Sequence, residues 1–344
     1  MTGLHAERLW AIVLAGGEGR RLSGLTYALH GREVPKQFAF LDGERSLLQR
    51  TLERIAGLVA PARTVVVVGA AHESTAREQI EAFPGVDLAV QPRNLDTAVG
   101  VLFPLARILA RDAGASVAVF PSDHYIPRPE PFLAAVEEAA RASVSGAARL
   151  TLLGVPSQAP ETSYGWILPG ARFEPRMHPR LRSVLGFVEK PGPDLARRLF
   201  DEGGLWNTLV SVGTVEAYGS LAGRCVPEIA EAFAVYATQV GGPREAECLR
   251  ALYGRIPAAN LSRDVLERAS GLSVLPVEGS GWCDWGTPGR VLESLTGSPA
   301  LSRLRERIGA GARPVRVPLV PTAGETRVER RDAAELLSAG DSRG

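Results

Sequence analysis

The chain has 344 residues, and its 39 Lys plus Arg against 38 Asp plus Glu leave a formal charge of +1. This balance gives no support to a general nucleic-acid or membrane-surface binder, since such proteins carry an excess of positive charge, and any anion site must be local. Hydrophobic residues make up 45% of the chain, enough for one large α/β domain or two smaller ones.

The N-terminus, residues 1–8, is short and polar and lacks the pattern of a secretory signal. No apolar stretch approaches the ~20 residues that a membrane span needs. The three cysteines, Cys225, Cys248 and Cys283, are scattered and lack the spacing of zinc ligands. We therefore expect a cytoplasmic protein with reduced thiols and no membrane or nucleic-acid partner.

A glycine-rich turn follows the first predicted strand. The apolar run 9–14 predicts a buried strand, and residues 16–19 then read Gly-Gly-Glu-Gly. Glycines in such a turn allow backbone N–H groups to approach an anion closely. Arg21 and Lys36 add fixed positive charge. These are the parts of a nucleoside-triphosphate site, although the spacing fits neither the dinucleotide fingerprint nor the Lys-Ser/Thr phosphate loop.

Helical and strand-like patterns alternate through the rest of the first half, which predicts a parallel sheet with helices on both faces. Ligands of such sheets bind beyond the carboxyl ends of the strands. The glycine turn and the segment 121–124 both follow strands and are expected to share one crevice. In chain order we predict a helix over 47–58, a strand over 64–69, a helix over 72–83 and a strand over 86–90. A helix capped by Asp96 or Thr97 and running to about 112 follows, and then a strand over 116–120.

The second half is more mixed, and its pattern weakens after about residue 295. No hexapeptide repeat is visible there. We predict one domain over residues 1–296 and a C-terminal extension without clear repeats over 297–344, with a modest helical signal at 332–337. The predicted strands cover 149–155, 164–168, 184–189, 208–215 and 272–277. The predicted helices cover 227–239, 244–253 and 301–308, and residues 195–199 have the pattern of a solvated helix face.

Eight short segments together resemble one family. After the glycine turn come Pro35-Lys36-Gln37-Phe38 and then Gln91–Ala98, Pro121–His124, Tyr164–Ile167, Phe187–Pro191, Trp206–Thr208 and Asp284–Thr287. They resemble, in order, the motifs of the nucleotide-sugar pyrophosphorylases (sugar-1-phosphate nucleotidylyltransferases). Pro-Lys-Gln-Phe narrows the resemblance to the mannose-1-phosphate guanylyltransferase branch. The resemblance spans roughly residues 9–296.

The resemblance implies an α/β, Rossmann-like fold with a predominantly parallel mixed sheet flanked by helices, and it makes residues 1–296 a nucleotidyltransferase catalytic domain. It also implies a role for each matched residue. The catalytic residues would be Arg21, Lys36, Asp123 and Lys190. The metal ligands would be Asp123 and Asp284. The nucleotide would contact Leu14, Ala15, Gly16, Gly17, Glu18, Gly19, Arg20, Gln91, Asn94, Asp96 and Thr97. The sugar would contact Tyr164, Gly165, Glu189 and Asn207.

The implied reaction joins GTP and α-D-mannose 1-phosphate into GDP-mannose and pyrophosphate. Attack on the α-phosphorus gathers many negative charges, and Mg²⁺ held by two carboxylates compensates them. No protein nucleophile is required, because the sugar phosphate already carries an ionised oxygen. Positioning and electrostatic stabilisation supply most of the catalysis. A homodimer is compatible with this interpretation.

Three alternatives stay open. Another sugar 1-phosphate or another nucleoside triphosphate is the nearest one, because base and sugar rest on resemblance alone. A non-catalytic nucleotide-sugar sensor is disfavoured by the presence of Asp123, Asp284 and Lys190 together. A nicotinamide-dependent enzyme is disfavoured by the missing Gly-x-Gly-x-x-Gly. One departure from the family pattern is Arg20, which stands where the family usually has Ser or Thr.

Overall fold

The computed structural model describes residues 8–41, 43, 45–173 and 177–309. Within them, a nine-stranded mixed sheet forms the centre of the molecule. Along the sheet the strand order is β3-β2-β1-β4-β8-β5-β9-β7-β6. The fold class expected from the sequence, a mixed sheet with a mostly parallel core, is confirmed. The strands are β1 (Leu9–Leu14), β2 (Thr64–Gly69), β3 (Asp87–Gln91), β4 (Ser116–Pro121), β5 (Leu150–Pro156), β6 (Gly165–Arg172), β7 (Arg182–Glu189), β8 (Leu205–Thr214) and β9 (Leu272–Pro276).

The first four strands are parallel to one another. Strand β1 pairs with β2 on one side and β4 on the other, and β2 pairs with β3. Their carboxyl ends therefore lie along the same edge of the sheet, where ligands of parallel sheets bind. The glycine turn after β1 and the turn after β4 are neighbours at this edge, as the sequence predicted.

The second half of the sheet is mostly antiparallel and returns on itself. Strand β8 pairs with β4 and β5, β5 pairs in parallel with β9, and β7 joins β9 to β6. The order then closes, because β6 pairs again with β8 where Trp166 lies opposite Trp206. This closure places the start of β6 beside the first residues of β8.

Helices cover both faces of the sheet. Alternate residues of β1 point to opposite faces, so Ala11 and Val13 belong to one buried cluster, while Trp10 and Ile12 belong to the other. A strand buried on both faces explains the uninterrupted apolar run. The helices are α1 (Ser23–His30), α2 (Leu47–Ile55), α3 (Glu73–Ile80), α4 (Asp96–Arg111), α5 (Glu130–Val144), α6 (Pro193–Asp201), α7 (Val215–Cys225), α8 (Pro227–Ala237), α9 (Glu245–Arg255), α10 (Pro288–Leu295) and α11 (Pro299–Gly309).

Most predicted elements are confirmed to within a few residues, and β2 matches its prediction at both ends. Strand β8 begins at Leu205 rather than 208, because Trp206 and Asn207 pair with β5. Helices α1, α5, α7 and α10 were not predicted. In the extension proposed from 297 onward, Leu304 of α11 is buried in a core cluster, and the helical signal at 332–337 lies outside the described residues. No helix in the described part of the chain is long and apolar enough to cross a membrane.

A buried histidine ends α1 and makes the stability of the fold depend on pH. His30 is 5% exposed, and within the described part of the chain neither of its ring nitrogens has a hydrogen-bond partner. Burial, reinforced by the charges of Arg307 and Arg32, lowers the pKa of His30 from 6.5 to about 4. Between these two values the unfolded chain binds a proton that the folded protein does not.

We expect the contribution of His30 to stability to be complete above pH 6.5 and to be lost as the pH falls towards 4. The loss should reach at most about 3 kcal/mol. Urea unfolding of wild type and His30→Leu across this window tests the expectation, since the leucine variant should show a flatter dependence on pH. Tyr27→Phe, on the exposed side of the same helix, serves as the control. Parallel pH curves for wild type and His30→Leu would contradict it.

Candidate active site

The glycine turn is held in place by backbone and side-chain hydrogen bonds at the edge of the sheet. The carbonyl of Leu14 accepts from the backbone N and the hydroxyl of Ser122, at 3.1 and 2.6 Å, which ties the ends of β1 and β4 together. The buried amide of Gln37 donates to the carbonyls of Ala15 and Gly17, at 2.9 and 2.6 Å. The Pro-Lys-Gln-Phe segment therefore supports the glycine turn directly.

Gly19 is required by close packing. Its φ is +62°, and a methyl group added there would lie 2.6 Å from the backbone N of Lys36. Only glycine combines a left-handed backbone with so close an approach. The turn therefore rests on the segment that carries Lys36.

Lys36 lies at the centre of the site and is 5% exposed. Its ammonium is 3.0 Å from Asp123 Oδ2, and it also donates to the backbone carbonyl of Asp284. One buried cation thus contacts both residues that the sequence pairs as metal ligands. A buried ammonium needs such partners, because an unpaired charge inside a protein is costly.

A short β-bridge brings the two carboxylate-bearing loops together. The backbones of Tyr125 and Cys283 exchange two hydrogen bonds, of 2.9 and 3.0 Å. The ring of Tyr125 stacks on Trp285, with centroids 4.3 Å apart. Asp123 and Asp284, although 161 positions apart in the sequence, each lie within two residues of this bridge.

The carboxylate of Asp284 accepts hydrogen bonds through one oxygen, and the other oxygen lies near Arg21. Oδ1 accepts from the Tyr164 hydroxyl at 2.8 Å, from the Gly286 N–H at 2.9 Å and from Arg290 at 3.1 Å. Oδ2 is 3.9 Å from the guanidinium of Arg21. Burial raises the pKa of Asp284, but the charge that His124 carries only in acid, the Tyr164 hydroxyl and Lys36 outweigh it and hold that pKa below its usual value. Asp284 is therefore ionised at neutral pH.

Asp123 is also ionised, and its neighbour His124 is neutral. Burial raises the pKa of Asp123, but the charge of Lys36, followed by the charge that His124 carries only in acid, lowers it below its usual value. Burial lowers the pKa of His124 to about 4, although Asp123 opposes the shift. Nδ1 of His124 accepts from the indole N–H of Trp282 at 3.1 Å, which is consistent with an uncharged ring.

The two carboxylates fit a hard divalent cation that takes few protein ligands. The side chain of Asp123 is 36% exposed. The three hydrogen-bond donors of Asp284 all contact Oδ1, so Oδ2 is available to a cation. No cluster of three or more His, Cys, Asp or Glu suited to a metal occurs among the residues that the structure describes. Mg²⁺ is commonly bound by one or two carboxylates together with phosphate oxygens and water.

The four residues predicted to contact the sugar form a second cluster. A methyl group added at Gly165 would lie 2.6 Å from Glu189 Oε2 and 3.3 Å from Cβ of Asn207. Asn207 uses its carbonyl oxygen to accept from the backbone N of Leu209 at 3.1 Å, which leaves its NH₂ group for another partner. The ring of Tyr164 lies 4.9 Å from that of Trp206, the neighbour of Asn207, and completes the cluster. Its hydroxyl contacts Asp284 and so links this cluster to the two carboxylates.

Lys190 follows this cluster on a backbone with φ +51°. Its N–H donates to the carbonyl of Tyr164 at 3.0 Å, and its ammonium is 3.3 Å from Glu189 Oε1. The side chain is 61% exposed. An exposed ion pair of this kind is worth under about 1 kcal/mol, so the ammonium is readily available to an anionic ligand.

The predicted base-contacting residues form a third group, beside the start of the glycine turn. Gln91 is buried. Its amide N would be 3.2 Å from a methyl group at Gly16, and its Oε1 accepts from the hydroxyl of Tyr253 at 3.1 Å. Asn94 is turned towards the carbonyl of Gly16, at 3.5 Å. This group lies at the carboxyl end of β3.

Asp96 and Thr97 begin α4 and are held by a segment from the second half of the chain. The carboxylate of Asp96 accepts from Thr97 N at 2.6 Å and from the Asn260 amide at 3.1 Å. The hydroxyl of Thr97 accepts from Leu261 N at 2.8 Å. Leu95, rather than Asp96 or Thr97, is the residue preceding the helix.

Glu18 and Arg20 stand apart from the buried contacts of the turn. Their side chains form an ion pair at the surface, with 53% of the Glu18 side chain and 83% of the Arg20 side chain exposed. The residue that departs from the family pattern thus lies on the rim, where it does not obstruct the turn.

Four residues that the sequence did not single out support the site. Arg290 and Glu161 form an ion pair next to Asp284 and Tyr164. Tyr253 and Asn260 hold Gln91 and Asp96. None of the four belongs to a recognisable motif, and each is brought in by tertiary packing.

The family model described as Nucleotidyl transferase matches residues 10–296. The chain belongs to this family. It is 31% identical over 289 residues to the xanthan biosynthesis protein XanB of Xanthomonas campestris pv. campestris, covering 82% of this chain and 58% of that protein. It is 33% identical over 202 residues to the mannose-1-phosphate guanylyltransferase of Salmonella montevideo, covering 57% of this chain and 41% of that protein.

The chain is also 31% identical to the alginate biosynthesis protein AlgA of Pseudomonas aeruginosa, over 57% of this chain and 40% of that protein. The chain thus spans between about two fifths and three fifths of the length of these relatives. Among solved structures it resembles a protein of Thermus thermophilus described as a mannose-1-phosphate geranyltransferase. The TM-score is 0.73 and the identity 28%, over 85% of this chain and 80% of that one.

The two glycines flanking Glu18 should respond differently to substitution. Gly19→Ala forces a left-handed backbone on alanine and a contact with Lys36 N, so the free energy of unfolding should fall by about 1–3 kcal/mol. Gly17→Ala meets no atom within 4 Å and should leave stability unchanged or slightly higher. Denaturant unfolding of both variants measures the difference, and equal effects would contradict this account of the turn.

Proposed function

We propose that the protein is a sugar-1-phosphate nucleotidylyltransferase that forms GDP-mannose and pyrophosphate from GTP and α-D-mannose 1-phosphate. The observation that carries the proposal is the contact of Lys36 with both Asp123 and Asp284, directly beneath the glycine turn and beside the cluster around Tyr164. Guanine and mannose are supported by the names of the relatives. The proposal includes a cytoplasmic location and allows a homodimer.

The site separates the charges that such a reaction must handle. Arg21 and Lys36 would bind the triphosphate and later the departing pyrophosphate, and the backbone of residues 16–19 would line the phosphates. Lys190 would bind the phosphate of the sugar, while Glu189 and Asn207 would bind its hydroxyl groups. Gln91 and Asn94, with Asp96 and Thr97 beyond them, would face the base.

In the chemical step an oxygen of the sugar phosphate attacks the α-phosphorus of the nucleotide. A new P–O bond forms there, the bond between the α-phosphorus and its bridging oxygen breaks, and pyrophosphate leaves with the electron pair. The attacking oxygen is already ionised, so no residue has to remove a proton. The contribution of the protein is to align the two phosphates and to stabilise the developing charge.

Asp123 and Asp284 would hold the divalent cation between them. When bound, that cation would supply charge compensation for the phosphate oxygens. Lys36 would keep the two carboxylate-bearing loops together before the cation binds. Its pairing with Asp123 also keeps the buried ammonium compensated.

The direct test is pyrophosphate release over a grid of GTP, ATP, UTP, CTP and dTTP against several sugar 1-phosphates, with and without Mg²⁺. We expect the highest rate for GTP with mannose 1-phosphate, and loss of that rate on adding EDTA. A higher rate with another pair would keep the reaction class and correct the substrates. No release with any pair, while GDP-mannose still binds, would identify a non-catalytic sensor.

Removing the charge of either carboxylate should reduce turnover. Asp123→Asn and Asp284→Asn should each lower kcat by roughly a hundred- to a thousandfold, because the phosphates lose compensation of their charge. The double variant should be little worse than the single ones, since the two ligands act as a unit. Asp112→Asn, which breaks a remote ion pair with Arg8, serves as the control. Near-normal, Mg²⁺-dependent turnover of Asp284→Asn would refute the metal assignment.

A further inference from the structure

Arg290 connects the two halves of the proposed site. It lies in the first turn of α10, where its backbone N–H is turned towards the hydroxyl of Thr287. Its side chain is 20% exposed and points to Asp284 on one side and to Glu161 on the other. These partners belong to different loops, one after β9 and one between β5 and β6.

The guanidinium makes a different contact with each loop. Nη1 donates to Asp284 Oδ1 at 3.1 Å. Nη2 donates to Glu161 and to the Ser163 hydroxyl, the latter at 3.2 Å. The guanidinium group itself lies over the ring of Tyr164, with Cζ 4.5 Å from the ring centroid. Only a planar cation with several donors can serve three such partners at once.

Each partner depends on Arg290 to a different extent. Asp284 Oδ1 keeps two further donors, Tyr164 and Gly286, if Arg290 is removed. Glu161 keeps the backbone N–H of Ser163 but loses the cation that neutralises it. The turn that carries Tyr164 therefore loses its ion pair and its cation–π contact but keeps the Tyr164 hydroxyl on Asp284. The Asp284 carboxylate keeps two of its three donors.

We propose that Arg290 is a positioning residue that fixes the Tyr164 turn against Asp284 and so orders the sugar-phosphate side of the site. It does not touch the reacting atoms. This inference rests on the proposed function, because it assigns Tyr164 to the sugar side and Asp284 to the metal side. It adds a specific consequence: losing Arg290 should affect the sugar phosphate more than the nucleotide.

Kinetics provide the first measurement, after the preferred substrate pair of the wild type has been found. Arg290→Gln should raise KM for the sugar 1-phosphate between about ten- and a hundredfold, the effect of losing charge-assisted hydrogen bonds. KM for the nucleotide should change less than about threefold, because Arg21, Lys36 and Asp123 are untouched. A variant that merely weakens the fold would lower the melting temperature without this split.

Two further variants separate bridging from charge alone. Arg290→Lys keeps a cation near Asp284 but cannot span both loops, so it should rescue less than a third of the lost affinity. Glu161→Gln should reproduce the same split, and the double variant should be no worse than Arg290→Gln. Glu293→Gln, on the exposed side of the same helix, should behave as wild type. Full rescue by lysine, or additive effects in the double variant, would overturn the proposal.

Hydrogen exchange tests the linkage without any substrate. In Arg290→Gln, amides of residues 157–165 and 284–286 should exchange faster, whereas in Arg290→Lys mainly those of 157–165 should. Unchanged exchange in residues 157–165 would overturn the proposal even if the enzyme is active. Faster exchange in a protein that turns over no substrate pair would keep the linkage and reject the proposed function instead.

Discussion

The buried ammonium of Lys36 is the interaction on which the rest of the site depends. Its contacts with Asp123 and with the carbonyl of Asp284 join three loops that come from three distant parts of the chain. The close packing of Gly19 against its backbone N adds the glycine turn to the same unit. A cation in this position compensates an anionic pocket before any ligand arrives, which reduces the repulsion between two ionised carboxylates.

The sheet topology explains why these loops meet. The parallel half gathers the ends of β1, β3 and β4 at one edge, and the antiparallel half closes on itself through the pairing of β6 with β8. The bridge between Tyr125 and Cys283 then fastens the two halves at the point where the carboxylates lie. The proposed nucleotide side is thus built from one half of the sheet, and the proposed sugar side mainly from the other.

Side chains add to this backbone bridge in joining the two sides. Tyr164 donates to Asp284, and Arg290 reaches from Asp284 to Glu161 across the ring of Tyr164. These groups are largely buried and charged or polar, so each needs its partners to offset the loss of water. By contrast, the ion pair of Glu18 with Arg20 is exposed, and solvent screening leaves it little influence on the shape of the turn.

The sequence alone determined the alternation of elements in the first half, because apolar runs such as 64–69 and a glycine turn after a strand are local signals. It also placed Lys36, Asp123 and Asp284 together, through motif resemblance. Only the tertiary structure decided that Lys36 contacts both aspartates, that β8 starts at Leu205, and that Arg290, Glu161 and Asn260 support the site. Their hydrogen bonds join residues more than a hundred positions apart. The local pattern of the sequence does not indicate such contacts, because they arise only when distant segments pack together.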